Sequence, residues 1–306
     1  MGRDRPLVRA DRRMAGRVMW DLAVAPFAEF TFMQRALAGA LMLSLSACPV
    51  GVFLMLRRMS LTGDAMAHAI LPGAAAGFLI YGLQIWPMTL GGLIAGAVVA
   101  VGAGAVARLT VQHEDASMAA FYLISLSVGV VMVSLRGSSV DLMHVLFGTV
   151  LALDDAALVL IGLVLAVTAL SFGLLWRALV AECLDPLFLR SVSGIGTVVH
   201  FGFLSLVVLN LVAWFQALGT LLAVGLMILP AAAARFWTQS VRAMVALAVG
   251  IGAASSASGL LLSYHLSLPS GPSITLSAGA IYLLSVLAGP RGLLLPRLPR
   301  RSHRTA

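Results

Sequence analysis

Asp64 and His68 are the residues of this chain best placed to do chemistry. They stand four apart in "SLTGDAMAHAILPG", residues 60–73. At 3.6 residues per turn, that spacing puts both side chains on one face of a helix. A carboxylate oxygen beside a neutral imidazole nitrogen is a borderline-hard donor pair. It suits Zn2+ or Mn2+ better than Mg2+ or Cu+. Pro72, four residues after His68, interrupts the backbone ladder and frees carbonyls near the pair. The same residues also admit a plainer arrangement. Thr62 would cap the helix, Asp64 would be a first-turn carboxylate favoured by the helix dipole, and His68 would hydrogen-bond a neighbouring helix. Spacing alone leaves both open.

Other polar residues are read in the same two ways. Asp141 and His144, three apart near the expected outer mouth, either guide a cation inward or are solvated loop residues. Asp154 and Asp155 read as the start of a helix. His113, Glu114 and Asp115 fall in a short turn facing solvent, while His200 and Asn210 suit hydrogen bonds across a bundle. His265 is near an outer loop and His303 in the tail. The stretch "RALVAECLDPLFLRSVSG", residues 177–194, mixes Arg177, Glu182, Asp185 and Arg190 with Leu184, Leu187, Phe188 and Leu189. A short amphipathic helix there offers a soluble partner both apolar anchors and charges, or lies on the membrane interface. No H-E-x-x-H, G-x-S-x-G or C-x-x-C occurs, so nothing supports a hydrolase or redox enzyme.

The elements that must hold these residues follow from composition. Of 306 residues, 60% are hydrophobic and 10% charged, with a mean hydropathy of +1.02. A soluble domain carries roughly a quarter charged residues, so most of this surface faces something other than water. Apolar runs near the roughly 20 residues that span a bilayer recur at 33–56, 64–83, 88–107, 118–135, 156–176, 196–214, 217–234, 241–262 and 274–289. The expected fold is an all-α polytopic membrane protein of about nine spans, eight at the least. Residues 140–155 form a further short or re-entrant candidate. Gly73-x-x-x-Gly77 and Gly92-x-x-x-Gly96 predict close helix crossings.

Arginines flank the runs, and placing them inside puts the C-terminus in the cytoplasm. Residues 1–18 carry six arginines that this orientation leaves outside, so either a basic arm inverts or loops back, or translation starts at Met14 or Met19, the expectation adopted. The chain divides into an Arg-rich extension and interfacial segment (1–32), a transmembrane bundle (33–289) with a cytoplasmic loop at about 177–195, and a basic tail (290–306). All 20 basic residues are arginine. Without lysine there is no standard P-loop and no Schiff-base chemistry. The net charge of +8 lies beside apolar segments, which suits anionic lipid and not nucleic acid. Cys48 and Cys183 give no disulfide framework.

"FMQRALAGALML", "GVFLMLRRMSLTGDAMAHAILPGAAAGFL", "VLFGTVLALD", "QALGTLLAVGLMILPAAAARFW" and "LSLPSGPSITLSAGAIYLLSVLAG" together resemble the manganese/zinc/iron-type permeases of ABC transporters, over about residues 30–289. The resemblance implies a non-enzymatic membrane subunit of a bacterial plasma (inner) membrane importer. It would work as a homodimer with cytoplasmic ABC ATPase subunits that bind and hydrolyse ATP, and with an extracytoplasmic solute-binding protein. The cargo implied is Zn2+ or Mn2+, with Fe2+ a further option, and no permanent cofactor is expected. Asp64 and His68 match the family's pore cation residues, and Glu182, Asp185, Pro186, Phe188 and Arg190 fall in its ATPase-contacting loop. Ala65-Met66-Ala67 stands where the family more often has Ala-Leu-Ser, one hydroxyl fewer beside the pair. The rival expectations are an ATPase-independent secondary metal transporter and a membrane metalloenzyme. The latter lacks a convincing third ligand.

Overall fold

The computed structural model describes residues 20, 24–82, 84–112, 114–134, 153–184 and 195–293. Eleven helices and no strand are found among the described residues. In chain order they are α1 (Ala25–Glu29), α2 (Thr31–Leu56), α3 (Ser60–Ala69), α4 (Leu71–Tyr81), α5 (Ile85–Leu109), α6 (Glu114–Ser134), α7 (Asp155–Leu184), α8 (Ile195–Leu218), α9 (Thr220–Arg235), α10 (Val241–Leu266) and α11 (Ser270–Ala288). Eight stretches among the described residues are long and apolar enough to cross a membrane, with α3 and α4 together forming one of them. The ninth expected span is α9, whose 16 residues rise only ~24 Å. Residues 135–152, including most of the short helix considered at 140–155, lie outside the described residues, as do 1–19 and 294–306.

Two boundaries differ from expectation. α7 continues past Arg177 to Leu184, so the first part of the expected loop is helix. Ala178, Leu179, Val180 and Ala181 keep the helix going, and Leu179 is buried. At the other junction, α8 and α9 are separated by a single residue, Gly219, whose φ of 87° only glycine adopts readily.

α2 is the axis of the bundle, packing on α7, α9 and α10. Its small residues let other backbones come close, the means by which membrane helices associate without a hydrophobic driving force. A side chain at Gly51 would collide with the Met227 carbonyl of α9. The Cys48 thiol donates to the Leu226 carbonyl at 3.3 Å, and the Ser44 and Ser256 hydroxyls meet at 3.3 Å. α4 and α5 cross in the same way: a Cβ on Gly73 would overlap the Gly91 carbonyl, and one on Gly91 the Gly73 carbonyl. Gly92 and Gly96 face Val212 and Val208 of α8 instead.

Gly91→Ala should therefore destabilise the detergent-purified protein by about 1–3 kcal/mol, the usual cost of overpacking. Gly162→Ala, where a Cβ meets open space, should leave the thermal midpoint unchanged. Equal midpoints for both variants would contradict the packing.

Candidate metal pathway and the polar cluster beside it

α3 starts at Ser60, with Met59 before it making no side-chain cap. Thr62 is buried inside the helix and Asp64 lies beyond the first turn, so the capping arrangement does not occur. Asp64 Oδ1 and His68 Nε2 stand 4.0 Å apart on one face. That is too long for a hydrogen bond, so the two groups converge without consuming each other's lone pairs. The Asp64 side chain is 62% exposed and that of His68 33%. His68 Nδ1 is shielded and has no hydrogen-bond partner among the described residues.

The helix breaks just after this pair. Ile70 separates α3 from α4, and Pro72 sits in the first turn of α4. The Ala69 carbonyl at the break accepts a hydrogen bond from Ser125 Oγ of α6 at 2.7 Å. α6 thus holds the broken helix and supplies the facing wall of a cleft of about 230 Å³. Leu61, Thr62, Asp64 and Ala65 line one side, and Asp115, Met118, Ala119 and Tyr122 the other. Asp115, expected in a solvated turn, is exposed as the second residue of α6 and shares the cleft with Asp64. The signal was legible, because 115, 118, 119 and 122 follow the i, i+3, i+4, i+7 stripe of one helix face. Among the described residues, no group of three or more His, Cys, Asp or Glu is arranged to hold a metal ion. Asp64 and His68 thus come together as a pair without a third such group among the described residues.

A second polar cluster was not foreseen. Arg57, at the end of α2, pairs with Glu182 of α7 at 2.6 Å, and both side chains are buried, 7% and 6% exposed. His200 Nδ1 of α8 lies 3.5 Å from the same carboxylate oxygen. The guanidinium rests over the Phe203 ring at 4.7 Å, a cation–π contact. Arg57 Nη1 and Glu182 Oε2 are buried with no hydrogen-bond partner among the described residues. Glu182, expected on a surface that contacts an ATPase, has its carboxylate turned inward. The reason is that α7 extends far enough to carry it under Arg57.

The remaining candidates sort simply. The Asp154 carboxylate caps α7 by accepting from the Ala157 N–H at 2.8 Å, and Asp155 pairs with Arg35 of α2 at 2.9 Å on the surface. Asn210 donates to Thr168 at 2.9 Å and accepts from Trp214, joining α8 to α7 as expected. Asp141, His144, Asp185, Pro186, Phe188 and Arg190 lie outside the described residues, as do His113 and His303.

The model of the ABC 3 transport family matches residues 29–289. The chain belongs to that family. The manganese import system permease protein ScaB of Streptococcus gordonii is 31% identical over 270 residues, covering 88% of this chain and 95% of that protein. The manganese transport system membrane protein MntC of Halalkalibacterium halodurans is 31% identical, covering 88% and 91%. A probable iron transport system membrane protein of Haemophilus influenzae is 30% identical, covering 88% and 97%. Among solved structures, PsaBC from Streptococcus pneumoniae in complex with Fab superposes with a TM-score of 0.79 at 30% identity, covering 89% of this chain and 97% of that one. As a member of the ABC 3 transport family, the chain is a multi-pass ABC permease subunit, as the motif resemblance implied.

The buried pair predicts an uneven response to mutation. Removing one partner strands a charge, which costs about 3–5 kcal/mol, whereas replacing both by apolar residues is often near neutral. Glu182→Gln should lower the thermal midpoint of the purified permease sharply. Arg57→Met combined with Glu182→Leu should recover much of the loss. Additive losses would show that the two residues do not act as a pair.

Proposed function

We propose that this chain is the membrane permease of an ABC importer for a divalent transition-metal ion, and that Asp64 and His68 ligate the ion as it passes. The observation that carries the reading is an exposed carboxylate within a membrane span. Asp64 is 62% exposed on the protomer surface and lies in the span Ser60–Tyr81. Ionisable groups within membrane spans are costly and so face a cavity or another protein surface. A homodimer with this face at its centre resolves both difficulties. It covers the exposed Asp64 carboxylate, and it brings a second Asp64–His68 pair beside the first to enlarge the donor set.

Mn2+ is the cargo favoured first, because several relatives carry manganese names, with Zn2+ and Fe2+ as competitors. Carboxylate and imidazole are compatible with all three ions, so the ligands alone do not choose. ATP is bound and hydrolysed by partner ATPase subunits, and an extracytoplasmic binding protein delivers the metal. The arginine-bearing end and the C-terminus face the cytoplasm. The segment after Leu184, with Asp185, Pro186, Phe188 and Arg190, docks on the ATPase. Glu182 contributes from within: its bond to Arg57 links the start of that segment to the helix end seven residues before Asp64.

Asp64→Ala and His68→Ala should each abolish Mn2+ uptake in cells lacking the native gene, while the variant permease still co-purifies with its ATPase. Undiminished uptake in both variants would remove these residues from the pathway. Parallel measurements with Zn2+ and Fe2+ identify the cargo. Uptake that persists with an inactivated ATPase would assign the chain to secondary transport.

A further inference from the structure

An open groove of about 570 Å³ runs between α7 and α10, lined by Phe172, Gly173, Leu174, Trp176 and Arg177 of α7 and by Arg242 of α10. Its size falls within the roughly 300–1,000 Å³ typical of small-molecule sites, and it shares no lining residue with the Asp64 cleft. Its lining is chemically mixed. It includes two exposed guanidiniums, neither paired with a carboxylate among the described residues. Arg177 follows Trp176, and Arg242 is the second residue of α10. Both lie at the end of the bundle that also carries Arg57 and Arg235.

The rest of the lining is apolar. Phe172 and Trp176 lie one turn apart and pack on Phe53 of α2, with ring centroids at 5.3 and 5.5 Å. This fixes the wall of the groove before any ligand arrives. Leu174 is exposed, and a Cβ on Gly173 would meet nothing within 4 Å, so the middle of the groove is vacant space beside a bare backbone.

A ligand that fits has a compact anionic head and a hydrocarbon body, and it reaches the site from within the bilayer. Guanidinium forks match phosphate oxygens in pairs. Tryptophan favours the headgroup level of the bilayer, and basic pockets between membrane helices hold anionic headgroups. We propose that this groove is a binding site for an anionic glycerophospholipid. Its phosphate sits between Arg177 and Arg242, and an acyl chain runs over Phe172, Gly173 and Leu174. The lipid bridges α7 and α10 on the same helix that carries Glu182.

The test is native mass spectrometry of the full-length, delipidated permease in detergent, titrated with phosphatidylglycerol or phosphatidylcholine. Wild type should retain phosphatidylglycerol in preference. Arg177→Gln with Arg242→Gln should reduce that retention about thirtyfold, as expected for the loss of two interfacial cations at about 1 kcal/mol each. Gly173→Leu, which fills the vacant middle and leaves both arginines intact, should also reduce it. Equal retention of the two lipids, or full phosphatidylglycerol retention in both variants, overturns the proposal. Displacement of the lipid by millimolar inorganic phosphate would make this a soluble-anion site. Loss of ATPase co-purification in the double arginine variant, with lipid retention unchanged, would assign the arginines to subunit docking.

Discussion

The Arg57–Glu182 contact sits where three helices meet, and much of the bundle is referred to it. It joins the end of α2 to the end of α7, with His200 of α8 against the same carboxylate. A buried ion pair is not by itself strong evidence of stability, because desolvation offsets much of the attraction. Its value lies in direction: the pair is satisfied in one arrangement of the helices and costly in others. Three residues after α2, the chain turns into α3. The position of Asp64 and His68 is therefore set from both sides, by this cluster before them and by the Ser125 bond to Ala69 after them.

Each charge near the hydrocarbon meets the same constraint differently. Glu182 is paired inside the protein, Asp154 is spent on a helix cap, and Asp155 is left at a surface with Arg35. Asp64, like Asp115 across the cleft, is neither a helix cap nor ion-paired to an arginine among the described residues, which sets both apart from the carboxylates that hold the helices together.

How much of this could be read from the chain follows from the range of each interaction. The spans were legible because a run of apolar residues is a local property, and so was the shared face of Asp64 and His68, which needs only helical spacing. Short-range signals also misled. Thr62 looks like a cap only if the helix starts there, and Ser60 starts it two residues earlier. Arg177 looks like the end of a span, yet α7 runs on to Leu184. Glu182 was the least legible, because its partner lies on α2, more than a hundred residues away, and no pattern near residue 182 points to it. Asp115 lay between these cases: its helix stripe was visible, but that the stripe faces Asp64 depends on how α6 packs on α3.

The two ion pairs between α2 and α7 have a mechanical consequence. Arg35 meets Asp155 where both helices begin, and Arg57 meets Glu182 where both end, so the helices run parallel and are tied twice. The ties are unequal. The Arg35–Asp155 partners are 49% and 81% exposed, and surface pairs contribute only about 0–1 kcal/mol. The Arg57–Glu182 partners are nearly sealed from solvent, so separating them strands both charges. Along α2 the ties stand ~33 Å apart at 1.5 Å per residue, close to the ~30 Å hydrocarbon thickness. The pair of helices behaves like tongs, riveted at one membrane face and merely latched at the other. A splaying motion opens them at the Arg35 end first.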